Sequence, residues 1–155
     1  MIQLPEKLSV LKEEENKMIL ELSPLYPGYG VTMGNALRRV LLSSIGGASI
    51  TTVKIKGVSH EFSNIEGVLE NVIEIIMNVK KIRLKLFGDE PVVLELKISG
   101  EKGVKAKDIK ANPNVEIVNK DQLIATLTGK KSELEMEFTV EKGIGYVPIE
   151  QRQKE

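Results

Sequence analysis

A chain of 155 residues suffices for one domain with a real core or for two small ones, and its 22 acidic and 22 basic residues cancel, so its overall charge gives no pull toward nucleic acid or an anionic membrane. The absence of cysteine removes disulfides, thiol catalysis and cysteine metal ligands, and suits a reducing compartment. No apolar run is long enough to span a bilayer and the N-terminus lacks the apolar core of a signal peptide, so a cytoplasmic location is expected.

Residues 8 to 22 predict two short extended pieces, LSVLKEE and KMILEL, with Asn16 and Lys17 as the turn between them. In SPLYPGYG, Pro24, Pro27 and two glycines predict irregular backbone. A helix is expected from Thr32, whose hydroxyl suits an N-cap, to Ser44, with Gly46 and Gly47 stopping it. Met33, Ala36, Leu37, Val40, Leu41 and Ser44 fall on one of its faces; Asn35, Arg38 and Leu42 fall on the opposite one, with Arg39 at its edge. ASITTVKIKGV, in which Val53 and Ile55 alternate with Thr52, Lys54 and Lys56, predicts a strand.

Ser63 and Glu66, at capping-box spacing, predict the start of a second amphipathic helix running to Lys81. Its apolar stripe would be Ile65, Val68, Leu69, Val72, Ile76 and Val79, and its solvated side Glu66, Glu70 and Glu74. From residue 82 the pattern turns to period two. IRLKLFG and PVVLELKIS flank a turn at Gly88, Asp89 and Glu90, and VEIV at 115 to 118 is another short strand. QLIATLT and ELEMEFTVE, on either side of Gly129 to Ser132, predict a hairpin with Leu134, Met136, Phe138 and Val140 as its inner row. The class is α+β, with two helices early and a strand-rich second half.

Two chemistries compete for Gly28, Gly30 and Gly34. As a phosphate loop the pattern is poor: the spacing is one residue longer than the dinucleotide fingerprint, two prolines separate it from the preceding strand, and no Asp or Glu occurs between Ser23 and His60 to hold a ribose. No G-K-[ST] follows at the distance a Walker loop needs. A helix that docks on another polypeptide is the alternative. Leu42 is surplus to the apolar stripe and stands beside Arg38, and an arginine next to an exposed aliphatic residue is an interface composition. Composition alone favours the plainer reading, a solvated face with one stray leucine. The acid-free stretch, carrying Arg38, Arg39, Lys54 and Lys56, tilts the balance toward an acidic partner surface.

Catalytic constellations are thin. His60 is the sole histidine; Ser59 and Ser63 are near it, but Asp89, Asp108 and Asp121 are distant in sequence. One histidine without cysteines does not make an ordinary zinc site. Glu70 and Glu74, one turn apart on a helix, fit a solvated face better than a carboxylate pair. Neither a metal nor a cofactor is expected.

LSPLYPGYGVTMGNALRRVLLSS, then VKIKGVSHEFSNIEGVLENVIEIIMNVKKIRL, and later KGIGYVP closely resemble the N-terminal domain of the bacterial RNA polymerase alpha subunit, in order and over nearly the whole chain. The cores G-N-A-L-R-R-x-L-L-S-S and H-E-[FY]-S carry the resemblance. It implies a dimerisation part with one long helix, begun by residues 1 to 46, and a strand-rich insert with one helix over residues 47 to 155. It implies a subunit of a DNA-directed RNA polymerase, a nucleotidyltransferase whose catalysis lies in its large subunits. The role implied is a non-catalytic assembly scaffold in transcription, whose partners are the beta and beta-prime subunits and a second alpha chain. Carried over residue by residue, Arg39 matches the arginine tied to assembly with beta, and Arg38 lies beside it. Asn35, Leu41 and Leu42 share that helix, and His60, Glu61 and Phe62 belong to a second stretch, Ser59 to Gly67, involved in beta contact. Family members resume the dimerisation part after the insert, end it with a second long helix and continue to a DNA-binding domain. This chain stops at Glu155, so a fragment is expected, with the apolar residues of its first helix deprived of their partner helix. A nucleotide-binding enzyme using the Gly28 to Gly34 loop is the rival reading.

Overall fold

A computed structural model describes residues 7–15, 17–148 and 151 of the chain. Their contacts divide into two compact units, one of residues up to Ile45 together with those from Gly145 onward, the other Gly46–Ile144. Both helices and strands are present, as an α+β chain requires.

In the first unit, strand β1 (Lys7–Glu14) pairs antiparallel with β2 (Lys17–Ser23), Leu8 opposite Leu22 and Val10 opposite Leu20, with a bulge between Val10 and Lys12. The turn predicted at Asn16 falls outside the described residues. Helix α1 spans Tyr29–Ser43. It starts three residues before Thr32, which corrects both the expected cap and the irregular backbone expected at Tyr29 and Gly30. The cause is Gly28, whose left-handed φ of 88° turns the chain directly into the helix and leaves Thr32 inside it. The Tyr29 N–H donates to the Tyr26 carbonyl at 3.0 Å across this turn, and the two rings meet edge to face at 5.8 Å. At the other end the Ser44 N–H closes on the Val40 carbonyl at 2.9 Å, and Ser43 Oγ on that of Arg39 at 2.6 Å. Gly46 and Gly47 do not stop the helix; they begin the next strand.

That strand, β3 (Gly46–Ile55), belongs to the second unit. There, helix α2 (Val72–Val79) and strands β4 (Leu84–Leu86), β5 (Val92–Ser99), β6 (Lys102–Lys105), β7 (Val115–Ile117), β8 (Leu123–Leu127) and β9 (Glu133–Ile144) follow. A five-stranded sheet runs in the order β5-β9-β3-β4-β7, and β6 and β8 form a separate pair. The expected inner row is the spine of the core: Leu134, Met136, Phe138 and Val140 are each at most 1% exposed. Leu94 and Leu96 of β5, Ile55 of β3, and Val72, Ile75 and Val79 of α2 pack into the same cluster. On the opposite side of the sheet, lysines and glutamates alternate between strands. Lys56 Nζ reaches Glu135 Oε2 at 2.7 Å, a hydrogen bond that holds the lysine above its ordinary pKa and the glutamate below.

Three expectations in this unit are corrected. The hairpin across Gly129 to Ser132 does not form: β8 pairs with β6, and β9 pairs with β3 and β5. The chain between is held by other segments, since the Thr128 N–H donates to the Gly67 carbonyl and the Gly100 N–H to that of Ser132, each at 2.9 Å. Ile124 and Ala125 are both fully buried, so the centre of β8 is covered on both faces. Helix α2 starts at Val72 rather than at Ser63. Gly67 takes a φ of 74° that no continuing helix tolerates, and Asn71 supplies the cap. Asn71 Oδ1 accepts from the Glu74 N–H at 2.8 Å while Glu74 Oε2 accepts from the Asn71 N–H at 3.0 Å. Leu69 is therefore not part of a buried stripe but 71% exposed. Finally, Glu70 is not on a solvated helix face, because its carboxylate binds Thr126.

Candidate partner interface

Helix α1 presents the first set of expected residues. Asn35, Arg38, Arg39 and Leu42 occupy one side of it, because spacings of three and four residues bring side chains together. Arg38 Nη1 donates to Asn35 Oδ1 at 3.3 Å, a bond that orients the guanidinium along the helix and leaves most of its donors open. Neither Arg38 nor Arg39 meets a carboxylate among the described residues, and both are exposed. Leu42 is 73% exposed and Leu41 60%. No residue of α1 is buried, although Met33 is half-buried. Two unpaired guanidiniums beside bare leucines can grip a surface that offers carboxylates or carbonyls around an apolar centre.

The turn from Ser59 to Ser63 carries the second set. The Ser63 N–H donates to the His60 carbonyl at 3.2 Å, and Ser63 Oγ lies 3.2 Å from His60 Nδ1. The Phe62 ring leans on the imidazole at 6.5 Å between centroids and is 75% exposed. No carboxylate hydrogen-bonds to His60 among the described residues, so the Ser–His–Asp arrangement is not assembled there. Behind this turn His60 and Glu61 line a cavity of about 270 Å³ whose floor is Val53, Ile55, Val58, Val72 and Ile76. The two sets belong to different units; within the turn the structure brings together His60 and Phe62, and on α1 Asn35 and Arg38.

The three glycines do not make a loop. Gly28 alone is left-handed, whereas Gly30 and Gly34 lie inside α1. Gly34 is in the second turn, where its N–H is committed to the helix ladder rather than free for a phosphate. No cluster of metal-ligating side chains occurs among the described residues, and none of the helices described is long and apolar enough to cross a membrane.

The contact of Glu70 with β8 was not foreseen from the sequence. The two carboxylate oxygens accept from the Thr126 N–H at 2.6 Å and from Thr126 Oγ1 at 2.9 Å. The one local signal was Asn71 and Glu74 at capping-box spacing, which ends the preceding segment at Glu70 and frees it from the helix.

Residues 53–155 match the family described as the RNA polymerase Rpb3/RpoA insert domain. The chain is 53% identical over 148 residues to the DNA-directed RNA polymerase subunit alpha of Aquifex aeolicus (strain VF5), covering 95% of this chain and 47% of that protein. It is 51% identical over 146 residues to the same subunit of Roseiflexus sp. (strain RS-1), with 94% and 45% covered. With that of Carboxydothermus hydrogenoformans (strain ATCC BAA-161 / DSM 6008 / Z-2901) it shares 49% over 153 residues, with 96% and 48% covered. The chain thus spans about half the length of the curated relatives it matches.

Proposed function

This chain belongs to the RNA polymerase Rpb3/RpoA insert-domain family of alpha subunits, and on that premise we propose that it is a non-catalytic assembly scaffold of a DNA-directed RNA polymerase. In this reading residues 1 to 46 begin the dimerisation part and residues 47 to 155 form the insert. The break in contacts between Ile45 and Gly46 supports the first boundary; residues from Gly145 onward group with the first unit, so the contacts do not support carrying the insert on to residue 155. The scaffold acts in the cytoplasm, pairs with a second alpha chain and recruits the beta subunit and then beta-prime. It performs no chemistry and needs no cofactor; nucleotidyl transfer belongs to the large subunits.

The single observation that carries this reading is the open guanidinium pair on α1. Arg38 and Arg39 have no internal carboxylate to serve among the described residues, and Leu42 beside them is bare. They serve as charge-assisted donors to beta, with Leu41 and Leu42 packing at the contact and the His60, Glu61 and Phe62 turn as a second contact. Replacing Arg39 by Ala removes a donor that makes no side-chain hydrogen bond or ion pair among the described residues. We expect beta capture in a pull-down to fall by about tenfold or more, the equivalent of one charged hydrogen bond, with the melting transition unchanged. Equal capture by both proteins overturns the assignment.

A further inference from the structure

We propose that Glu70 is a positioning residue for the partner-binding turn, its carboxylate standing in for a strand carbonyl; this rests on the reading that the Ser59 to Gly67 stretch contacts the beta subunit.

Val68 makes an isolated antiparallel bridge to Leu127 of β8, with its neighbours on either side bonded to the same strand. The Thr128 N–H donates to the Gly67 carbonyl and the Leu69 N–H to the Thr126 carbonyl, each at 2.9 Å, with Val68 opposite Leu127. The next bond of an antiparallel ladder would run from the Thr126 N–H back to a main-chain carbonyl. Here it runs to Glu70 Oε2 at 2.6 Å, and the second carboxylate oxygen takes Thr126 Oγ1 at 2.9 Å. A side chain therefore closes the ladder where the backbone is already leaving it for α2. Substituting a carboxylate for a carbonyl makes the bond charge-assisted and adds the hydroxyl contact.

The consequence reaches the turn from both sides. Asn71, the adjacent residue, caps α2, and the Val72 N–H donates to the Ser63 carbonyl at 3.2 Å. Ser63 in turn is bonded to His60 through both its N–H and its hydroxyl. The far end of α2 is tied to the same strand, since Asn78 Nδ2 donates to the Ile124 carbonyl at 3.2 Å. With Glu70 in place, the whole segment from His60 to Asn78 is fixed on β8. Without it, the Thr126 N–H loses its acceptor and the segment leading out of the turn loses the anchor nearest α2, leaving the two main-chain bonds at Gly67 and Leu69 to hold it. Glu70 does not touch the partner; it presents what does.

The test uses the full chain with purified beta subunit. Hydrogen exchange is measured on the free protein, and the dissociation constant at a temperature where every variant is folded by circular dichroism. In Glu70→Ala the Leu69 and Thr128 amides should lose protection while those of β9 keep theirs, and beta binding should weaken about tenfold. Glu70→Gln, which retains an acceptor for the Thr126 N–H, should restore both. Ile98→Val, a destabilising change on β5, should leave the affinity of the folded protein unchanged, which separates positioning from stability. Retained protection at Leu69 and Thr128 in Glu70→Ala, or affinity lost no more than in Ile98→Val, overturns the proposal. If the unsubstituted chain fails to bind beta, the scaffold reading fails and the role of Glu70 in partner binding fails with it; the exchange result still decides whether the clamp exists.

Discussion

Gly67→Ala is the substitution whose cost can be built most directly from the structure. Gly67 has a φ of 74°, and an alanine held in the left-handed region costs about 1–2 kcal/mol. The added methyl would also strike Ser132: it collides with Oγ and lies 2.9 Å from Cβ. Ser132 is buried and has little room to retreat. Its N–H donates to the Gly129 carbonyl at 3.1 Å and its own carbonyl accepts from the Gly100 N–H at 2.9 Å. Forcing a methyl into such a place costs about 1–3 kcal/mol, for a total of about 2–5 kcal/mol. The assay is urea unfolding of both single variants, of Ser132→Gly and of the double variant. Ser132→Gly removes Oγ and Cβ and leaves Cα at 3.5 Å from the new methyl, an ordinary contact. The double variant should therefore recover the collision and keep the conformational cost, a coupling of about 1–3 kcal/mol in the cycle. A loss below about 1 kcal/mol in Gly67→Ala, or strictly additive singles, refutes the reasoning.

Asn71→Ala removes the α2 cap while leaving Val72 and Ile75 buried, and should cost about 1 kcal/mol in a melting experiment. Phe138→Ala empties the centre of the inner row, where the ring is 0% exposed; about 3–5 kcal/mol is expected in chemical denaturation. Burial alone would raise the Asp108 carboxyl, but hydrogen bonds from Lys102 Nζ at 2.6 Å and the Lys105 N–H at 2.8 Å hold it below its ordinary 3.8. A carboxyl lowered by folding stabilises the fold fully above 3.8 and loses that contribution as the pH falls through its folded-state value. Asp108→Asn should flatten this part of the acid limb in a stability-against-pH series.

The second half of the chain was legible where burial alone decides. Period two places Leu134, Met136, Phe138 and Val140 on one face, and that face is the core. Pairing was not legible, because it depends on distant chain. Nothing near Gly129 tells that Thr128 will bond to Gly67, or that β3, almost ninety positions upstream, will take the side of β9 that a hairpin partner would have held. The two helix starts failed for local reasons. At Gly28 and Gly67 a positive φ, permitted by the missing side chain, overrode the hydroxyl caps that Thr32 and Ser63 suggested. That Leu42 of α1 would stand exposed beside Arg38 was readable, because a leucine surplus to the apolar stripe shows in the helical spacing. Glu70 was not, because its partner is fifty-six residues away and its placement needs α2 to begin late.

Gly46 stands opposite Ile144, so the first and last residues of the strand-rich unit are neighbours across one ladder. A polypeptide that leaves and returns through such adjacent doors inconveniences its host very little. The gap to be bridged, were the unit spliced out, is about the 5 Å spacing of two strands, which a link of one or two residues covers. Evolution can lengthen, shorten or exchange what lies between these two glycine-flanked gateposts without re-engineering the part that carries α1.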